Sequence, residues 1–252
     1  MQLSGKVAIV TGAGSGMGKA IARRFADQGA KLVVADINAR AAEQTASELA
    51  GAALPVAVDV AEEQQVRELV EQAVGAYGQI DILVNSAGVP MAFTPIEEVD
   101  VAQWERILNV NVKSIFLTCK YAVPHLKKRA GGAIINIASI AGVRARPGLN
   151  AYCASKGAAI MLTKALALEL APYQIRVNVV NPGPADTPML SKFISGEPDQ
   201  VAQQTKEIFV NSVPLGRLIA PEQIAEACLY LASDLAMMVT GEVLNVDGGR
   251  GI

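Results

Sequence analysis

Charge of neither sign dominates this chain: 22 Lys and Arg stand against 24 Asp and Glu, for a formal net charge of -2. That balance leaves no electrostatic footprint for nucleic acid or for an anionic membrane surface, so neither is expected as a partner. Histidine is reduced to His125 alone, which excludes any His-based metal cluster. The acidic residues are spread thinly, so no hard-metal site is expected either. The three cysteines, Cys119, Cys153 and Cys228, are odd in number, far apart and without metal-ligand spacing. A reducing cytoplasm is the compartment they suit. No uninterrupted apolar run reaches the ~18 residues of a membrane span. The opening MQLSGKVAIVTGAG shows no basic flank followed by an apolar run and cleavage site, so no signal peptide is expected.

What the chain has is short apolar runs, which bring the apolar share to 51% of 252 residues. Val7–Val10, Leu32–Ala35, Val56–Val58, Ile82–Val84, Ile134–Ile137, Val177–Val180 and Val243–Val246 read as strands. They are continuous rather than alternating, the mark of strands covered on both faces. Helical patterns separate them, for example Val66, Leu69, Val70, Ala73, Val74 and Tyr77. The alternation predicts a Rossmann-type doubly wound α/β fold: a parallel sheet of about seven strands with helices on both faces. Residues 1–252 read as one dinucleotide-binding and catalytic domain without an internal linker. One stretch, about 186–212, has no sheet pattern and follows a strand end, so it reads as a substrate lid.

The first strand runs into Gly12-Ala13-Gly14-Ser15-Gly16-Met17-Gly18, and a helix follows over Lys19–Gln28. Glycines let the backbone turn sharply and approach a pyrophosphate, and the helix N-terminus adds free N–H groups. The spacing is Gly12-xxx-Gly16-x-Gly18, with Met17 where a GxGxxG loop has its third glycine. Asp36 ends the second strand, where a carboxylate can accept hydrogen bonds from ribose hydroxyls and repel a 2′-phosphate. Ile37 and Asn38 follow it, with no adjacent arginine to neutralise such a phosphate. The expected cofactor is therefore NAD(H).

Of five tyrosines only Tyr152 is followed four residues later by a lysine, Lys156. On a helix over Tyr152–Leu170 both share one face. A nearby ammonium stabilises a phenolate, and lowering a tyrosine by three pKa units needs about 4 kcal/mol. Such a tyrosine can take a proton from an alcohol or give one to a carbonyl. Ser139, at the end of the strand Ile134–Ile137, can hold the substrate oxygen against it. Asn111 lies on the helix before that strand. Cys153 beside Tyr152 is turned about 100° away and reads as packing. Trp104 reads as core, and His125 as structural or surface.

These features in order resemble the short-chain dehydrogenase/reductase family, in its compact single-domain branch. The resemblance spans essentially the whole chain. It rests on Thr11-Gly12-xxx-Gly16-x-Gly18, Asp59-Val60, Asn85-Ser86-Ala87-Gly88, Asn111, Ser139, Tyr152-xxx-Lys156, Pro182-Gly183, Thr187 and Val246-Asp247-Gly248-Gly249. The resemblance implies Tyr152 as acid/base and Lys156 on the nicotinamide ribose, lowering the Tyr152 pKa. It implies Ser139 on the substrate oxygen, and Asn111 behind a water that relays protons from Lys156. Asp59 and Val60 would meet the adenine, and Asn85, Ala87 and Gly88 the ribose region. Pro182, Gly183 and Thr187 would position the nicotinamide, while Gly12, Ser15, Gly16, Met17 and Gly18 hold the pyrophosphate. The family usually has Asn-Asn-Ala-Gly where this chain has Ser86, and Asp186 is an unusual neighbour for Thr187.

The implied activity is NAD(H)-dependent interconversion of a secondary alcohol and a ketone. A 3-oxoacyl-carrier-protein reductase is the alternative, disfavoured by Asp36 because such enzymes generally use NADPH. A non-catalytic NAD-binding redox sensor is the alternative of another class, disfavoured by the complete Asn111, Ser139, Tyr152 and Lys156 set. Family members usually pair helices across a dimer interface, often within a tetramer, so a homotetramer is expected, with a dimer as the lesser form. Ala92, Phe93 and Leu190 are candidate substrate-lining residues. Arg144 and Arg146 border the same region; they read as solvated loop arginines or a subunit contact, with recognition of an anionic group on the substrate as the alternative.

Overall fold

The computed structural model describes residues 1–129, 131–193 and 207–252. Seven strands form one all-parallel sheet in the order β3-β2-β1-β4-β5-β6-β7. They are β1 (Val7–Thr11), β2 (Lys31–Asp36), β3 (Ala53–Ala57), β4 (Ile82–Asn85), β5 (Gly132–Ile137), β6 (Ile175–Pro182) and β7 (Val243–Val246). The helices of the described residues include α1 (Gly16–Asp27), α2 (Ala39–Glu48), α3 (Glu63–Tyr77), α4 (Val101–Leu108), α5 (Ser114–Lys128), α6 (Asn150–Leu170) and α7 (Pro221–Ala232).

The continuous apolar strands have the expected cause. Successive side chains leave opposite faces of a strand. Ala8, Val10, Leu32, Val34, Val84 and Ile135 enter one core with Ile21 and Phe25 of α1 and Leu229 of α7. Ile9, Val33, Leu83, Ile134 and Val177 enter the other, with α3, α5 and α6. Neither face of the central strands meets water, so neither selects polar residues.

The third strand differs from its expected span of Val56–Val58. It pairs with β2 from Ala53 to Ala57 and ends there. It is an edge strand, half-covered at Ala53, Leu54 and Pro55, so its first residues carry no buried apolar run. An edge also tolerates Pro55, which cannot donate to a ladder. The helix expected to carry Asn111 is interrupted by a wide π-helical turn at Asn109–Lys113, between α4 and α5. Such turns concentrate at functional sites, and this one carries Asn111.

The chain leaves β1 for β2 and β3 on one side, then crosses to β4 on the other. That reversal opens a crevice at the carboxyl ends of β1 and β4, the place where open α/β sheets bind ligands. Of the expected lid, residues 194–206 lie outside the described residues. Before them, Leu190–Phe193 makes a short 3-10 turn, and Ala185 bridges to Ile219.

Candidate active site

Two adjoining cavities occupy the crevice. The larger, about 980 Å³, is lined by Gly12, Ser15, Gly16, Met17, Gly18, Asp36, Asp59, Val60, Ala87, Gly88 and Thr187, among others. The smaller, about 80 Å³, is walled by Ser139, Tyr152, Pro182, Gly183, Leu190, Phe93, Arg146 and other residues. They share Met17, Thr187 and Met189. The structure thus brings together most of the residues singled out from sequence.

The glycine loop is held by contact and not by habit. Gly12 has φ +65°, and a Cβ there would meet the Ala87 backbone at 2.8 Å. At Gly18 a Cβ would lie 2.1 Å from the Gly12 carbonyl oxygen. The first turn of α1 can therefore close onto β1 only without a side chain. This is a cradle of the kind a pyrophosphate requires, with backbone exposed and the helix N-terminus facing it. Gly18→Ala is expected to cost about 1–3 kcal/mol by overpacking and to weaken NADH binding by about tenfold or more. Fluorescence titration with NADH checks it, and unchanged affinity would refute this account of the loop.

Asp36 accepts from the backbone N–H of Gly14 at 2.8 Å through one oxygen and from Asn38 at 2.9 Å through the other. Each oxygen keeps a further lone pair for a ribose hydroxyl. The bond to Gly14 ties the end of β2 to the loop, a link that sequence reasoning did not find. Asn85 does not line the cleft. It is buried, accepting from Thr118 at 2.7 Å and donating to Asn136 at 2.8 Å, and Asn136 donates on to Thr163. Its side chain is committed to this buried network. Thr11 was also missed as an organiser: its hydroxyl accepts from the N–H groups of Ser86 and Ala87.

The face of α6 that turns inward carries Ala151, Tyr152, Ser155, Lys156, Ala159, Ile160 and Thr163, at helical spacing. Tyr152 is 7% exposed and Lys156 5%. The Lys156 ammonium donates to the Ile137 carbonyl at 2.9 Å and lies 5.8 Å from the Tyr152 ring centre. Ser139 stands at the end of β5, its hydroxyl capping the turn Ile140–Gly142 through Ala141 N–H at 3.1 Å. Asn111 clasps Val89, accepting from its N–H at 2.8 Å and donating to its carbonyl at 3.1 Å, and also donates to Ser155. This amide holds the Gly88–Val89 loop, a task additional to the relay that the resemblance implies. A Cβ on Gly88 would lie 3.3 Å from Asn111 Oδ1 and 3.5 Å from Lys156 Nζ, so both groups converge on that glycine.

Burial governs the charges here. It pushes Tyr152 up to about 12, while the Ser139 hydroxyl pulls it the other way. It brings Lys156 down to about 8. The expected lowering of Tyr152 by Lys156 does not emerge in the field of the protein's own groups: burial dominates both side chains, Cys153 adds to the rise of Tyr152, and only Ser139 opposes it.

The remaining residues divide clearly. Leu190, Arg146 and Phe93 line the smaller cavity. Arg144 does not; it is exposed and donates to the backbone carbonyls of Arg250 and Ile252. Asp186 is exposed. Cys153 is half-buried, and Trp104 packs partly against the small cluster around Tyr152 and Met91. Sequence reasoning missed Phe193, Phe209 and Arg250 in the cavity wall. Among the described residues no group of His, Cys, Asp and Glu could hold a metal, and no helix is long and apolar enough to cross a membrane.

An all-parallel seven-stranded sheet with a glycine cradle at its switch point defines a Rossmann-type fold of the dinucleotide-binding kind. Residues 12–250 match the family model described as enoyl-(acyl carrier protein) reductase. The chain belongs to the short-chain dehydrogenase/reductase family. It is 44% identical to the 4-formylbenzenesulfonate dehydrogenase of Comamonas testosteroni, over 100% of both chains. It is 39% identical to a 3-oxoacyl-acyl-carrier-protein reductase of Thermotoga maritima, over 99% of each. Among solved structures, a 3-ketoacyl-(acyl-carrier-protein) reductase from Brucella melitensis complexed with NADH superposes with a TM-score of 0.92 at 42% identity. That match covers 99% of this chain and 100% of the other.

Proposed function

We propose that the protein is an NAD(H)-dependent dehydrogenase that interconverts a secondary alcohol and a ketone, with Tyr152 as the acid/base. The observation that carries this is the placement of Tyr152 and Ser139 in one small cavity that adjoins the glycine cradle. The cradle residues Gly12, Ser15, Gly16, Met17 and Gly18 would hold the pyrophosphate, Asp36 the adenosine ribose, and Asp59 and Val60 the adenine. Lys156, Pro182, Gly183 and Thr187 would hold the nicotinamide end. When bound, the dinucleotide supplies or accepts the hydride, and its oxidised ring adds a positive charge.

The protein's part is proton handling and positioning. Ser139 holds the substrate oxygen by hydrogen bonding, and Tyr152 takes its proton in oxidation or donates one in reduction. Lys156, fixed by the Ile137 carbonyl, keeps a cation near the phenol. Asn111 fixes the loop that both approach. Exposed Phe116, Met161 and Leu168 on α5 and α6 support pairing of subunits through these helices, which suits a homotetramer. We read residues 1–252 as one catalytic unit, with no nucleic-acid or membrane partner.

The 3-oxoacyl-carrier-protein reductase reading keeps the same chemistry and draws support from two of the relatives. A reductase of that name complexed with NADH weakens Asp36 as a ground against it. A panel of cyclic and acyclic alcohols with NAD+, and of ketones and acetoacetyl thioesters with NADH, separates the readings. Turnover is expected on the simple alcohol and ketone arms. A protein active only on the acyl thioester would overturn the preferred reading, and one inert on every arm would favour a non-catalytic sensor.

A further inference from the structure

The smaller cavity contains an arrangement that the hydride and proton chemistry leaves unused. Arg146 reaches it from the loop between Ser139 and α6, and Arg250 from the far end of the chain. The last residues are folded back by Asp247, whose carboxylate accepts from the N–H groups of Gly249 at 2.9 Å and Gly251 at 2.8 Å. Arg144 fastens the same turn by donating to the Arg250 backbone carbonyl. With its backbone held there, the Arg250 guanidinium lies 5.2 Å from the Phe209 ring centre. Phe209 meets Phe193 edge to face at 6.2 Å, and Phe193 meets Tyr152 likewise at 5.3 Å. An aromatic wall thus runs from the reacting phenol to the Arg250 guanidinium.

Both arginines carry a buried nitrogen without a hydrogen-bond partner, Nη2 of Arg146 and Nε of Arg250. Among the described residues, no ion pair involves Arg146 or Arg250. Burial and the neighbouring Arg146 and Arg144 bring Arg250 down to about 10, against the partial support of Asp247. Like charges gathered in a half-buried pocket, with unused donors, call for a negative group.

We propose that Arg146 and Arg250 form an oxyanion-binding subsite, so that the substrate is a compact alcohol or ketone carrying a carboxylate or sulfonate. This rests on taking the Ser139–Tyr152 cavity as the substrate site. The anion seats between the two guanidinium groups, the apolar frame lies along Tyr152, Phe193 and Phe209, and the oxygen to be oxidised faces Ser139. Arg144 serves by pinning the terminal turn and does not meet the anion itself.

Calorimetry on the NADH-loaded protein tests this with benzenesulfonate and benzoate, each against its neutral amide. The anions are expected to bind, with the amides weaker by about tenfold or more. Arg146→Met and Arg250→Met should each lower anion affinity by about tenfold or more, with NADH affinity unchanged as the check on folding. Arg250→Lys should recover part of the loss. Equal binding of anions and amides by the wild type, or anion binding unaffected in the double Met variant, would overturn the subsite. Because the readout is binding, it stands apart from turnover. Arginine-dependent anion binding without oxidation of any alcohol upholds the subsite and refutes the reaction. Oxidation of neutral cyclohexanol by a protein that ignores both anions does the reverse.

Discussion

Tyr152→Phe is expected to lower kcat by about 10²–10⁴-fold, the usual value of a positioned acid/base, while NADH affinity stays close to that of the wild type. The substitution keeps the ring. It preserves the edge-to-face contact with Phe193 at 5.3 Å and the packing against Met91 and Ala151. Only the hydroxyl is lost, and the site is too enclosed for bulk water to replace it freely, since Tyr152 is 7% exposed. The pH profile should carry the same signature. The phenol is pushed up to about 12 by burial, so in the field of the protein alone it remains protonated through the neutral range. Alcohol oxidation consumes the phenolate and should therefore quicken as pH rises towards that value. Ketone reduction consumes the phenol and should slow over the same alkaline limb. The oxidised nicotinamide's positive charge favours the phenolate and should bring the oxidation limb below 12. Measuring kcat in both directions from neutral to alkaline pH checks the assignment. Profiles that run parallel, or a Phe variant with wild-type turnover, would remove Tyr152 from the chemistry.

What could be seen in the sequence follows a physical divide. The strands buried on both faces announce themselves because each residue in turn must be apolar, as in Val7–Val10. The glycine loop is legible because Gly12 and Gly18 admit no Cβ. Tyr152 and Lys156 are legible because one helix fixes their spacing. The edge strand Ala53–Ala57 is less visible, since half-covered residues obey no strict pattern. The bond from Gly14 to Asp36, the π-helical turn around Asn111 and the inward burial of Asn85 depend on tertiary placement. Arg250 is the clearest case. It comes 104 residues after Arg146, and only the Asp247 turn and the Arg144 clasp bring the two into one cavity. Nothing local in the sequence distinguishes Arg250, in the cavity wall, from Arg144, outside it.

NADH is expected to be preferred over NADPH by about two orders of magnitude in kcat/KM, and Asp36→Ser should erode that preference from both sides. A unit negative charge ~5 Å from a carboxylate costs about 3 kcal/mol at an effective dielectric of about 20, enough for a hundredfold discrimination. A 2′-phosphate would meet that cost at Asp36, which lines the larger cavity at the end of β2. Among the described residues, neither the positions that follow Asp36 nor the facing end of α1 places a free cation beside it. Ile37 is the next residue, Asn38 caps α2 through the Ala41 N–H at 3.2 Å, and Arg40 is not among the cavity-lining residues. Lys19 and Arg23 of α1 are both engaged by Glu48, at 2.9 Å each. Serine removes the charge yet retains an acceptor for the Gly14 and Asn38 N–H groups, so the loop should persist. NADPH use should then rise by about tenfold or more while NADH use falls. A purely structural Asp36 would instead lower both cofactors together and leave their ratio unchanged. That outcome, or a wild type that turns over NADPH as well as NADH, would assign the choice of dinucleotide to some other part of the cavity.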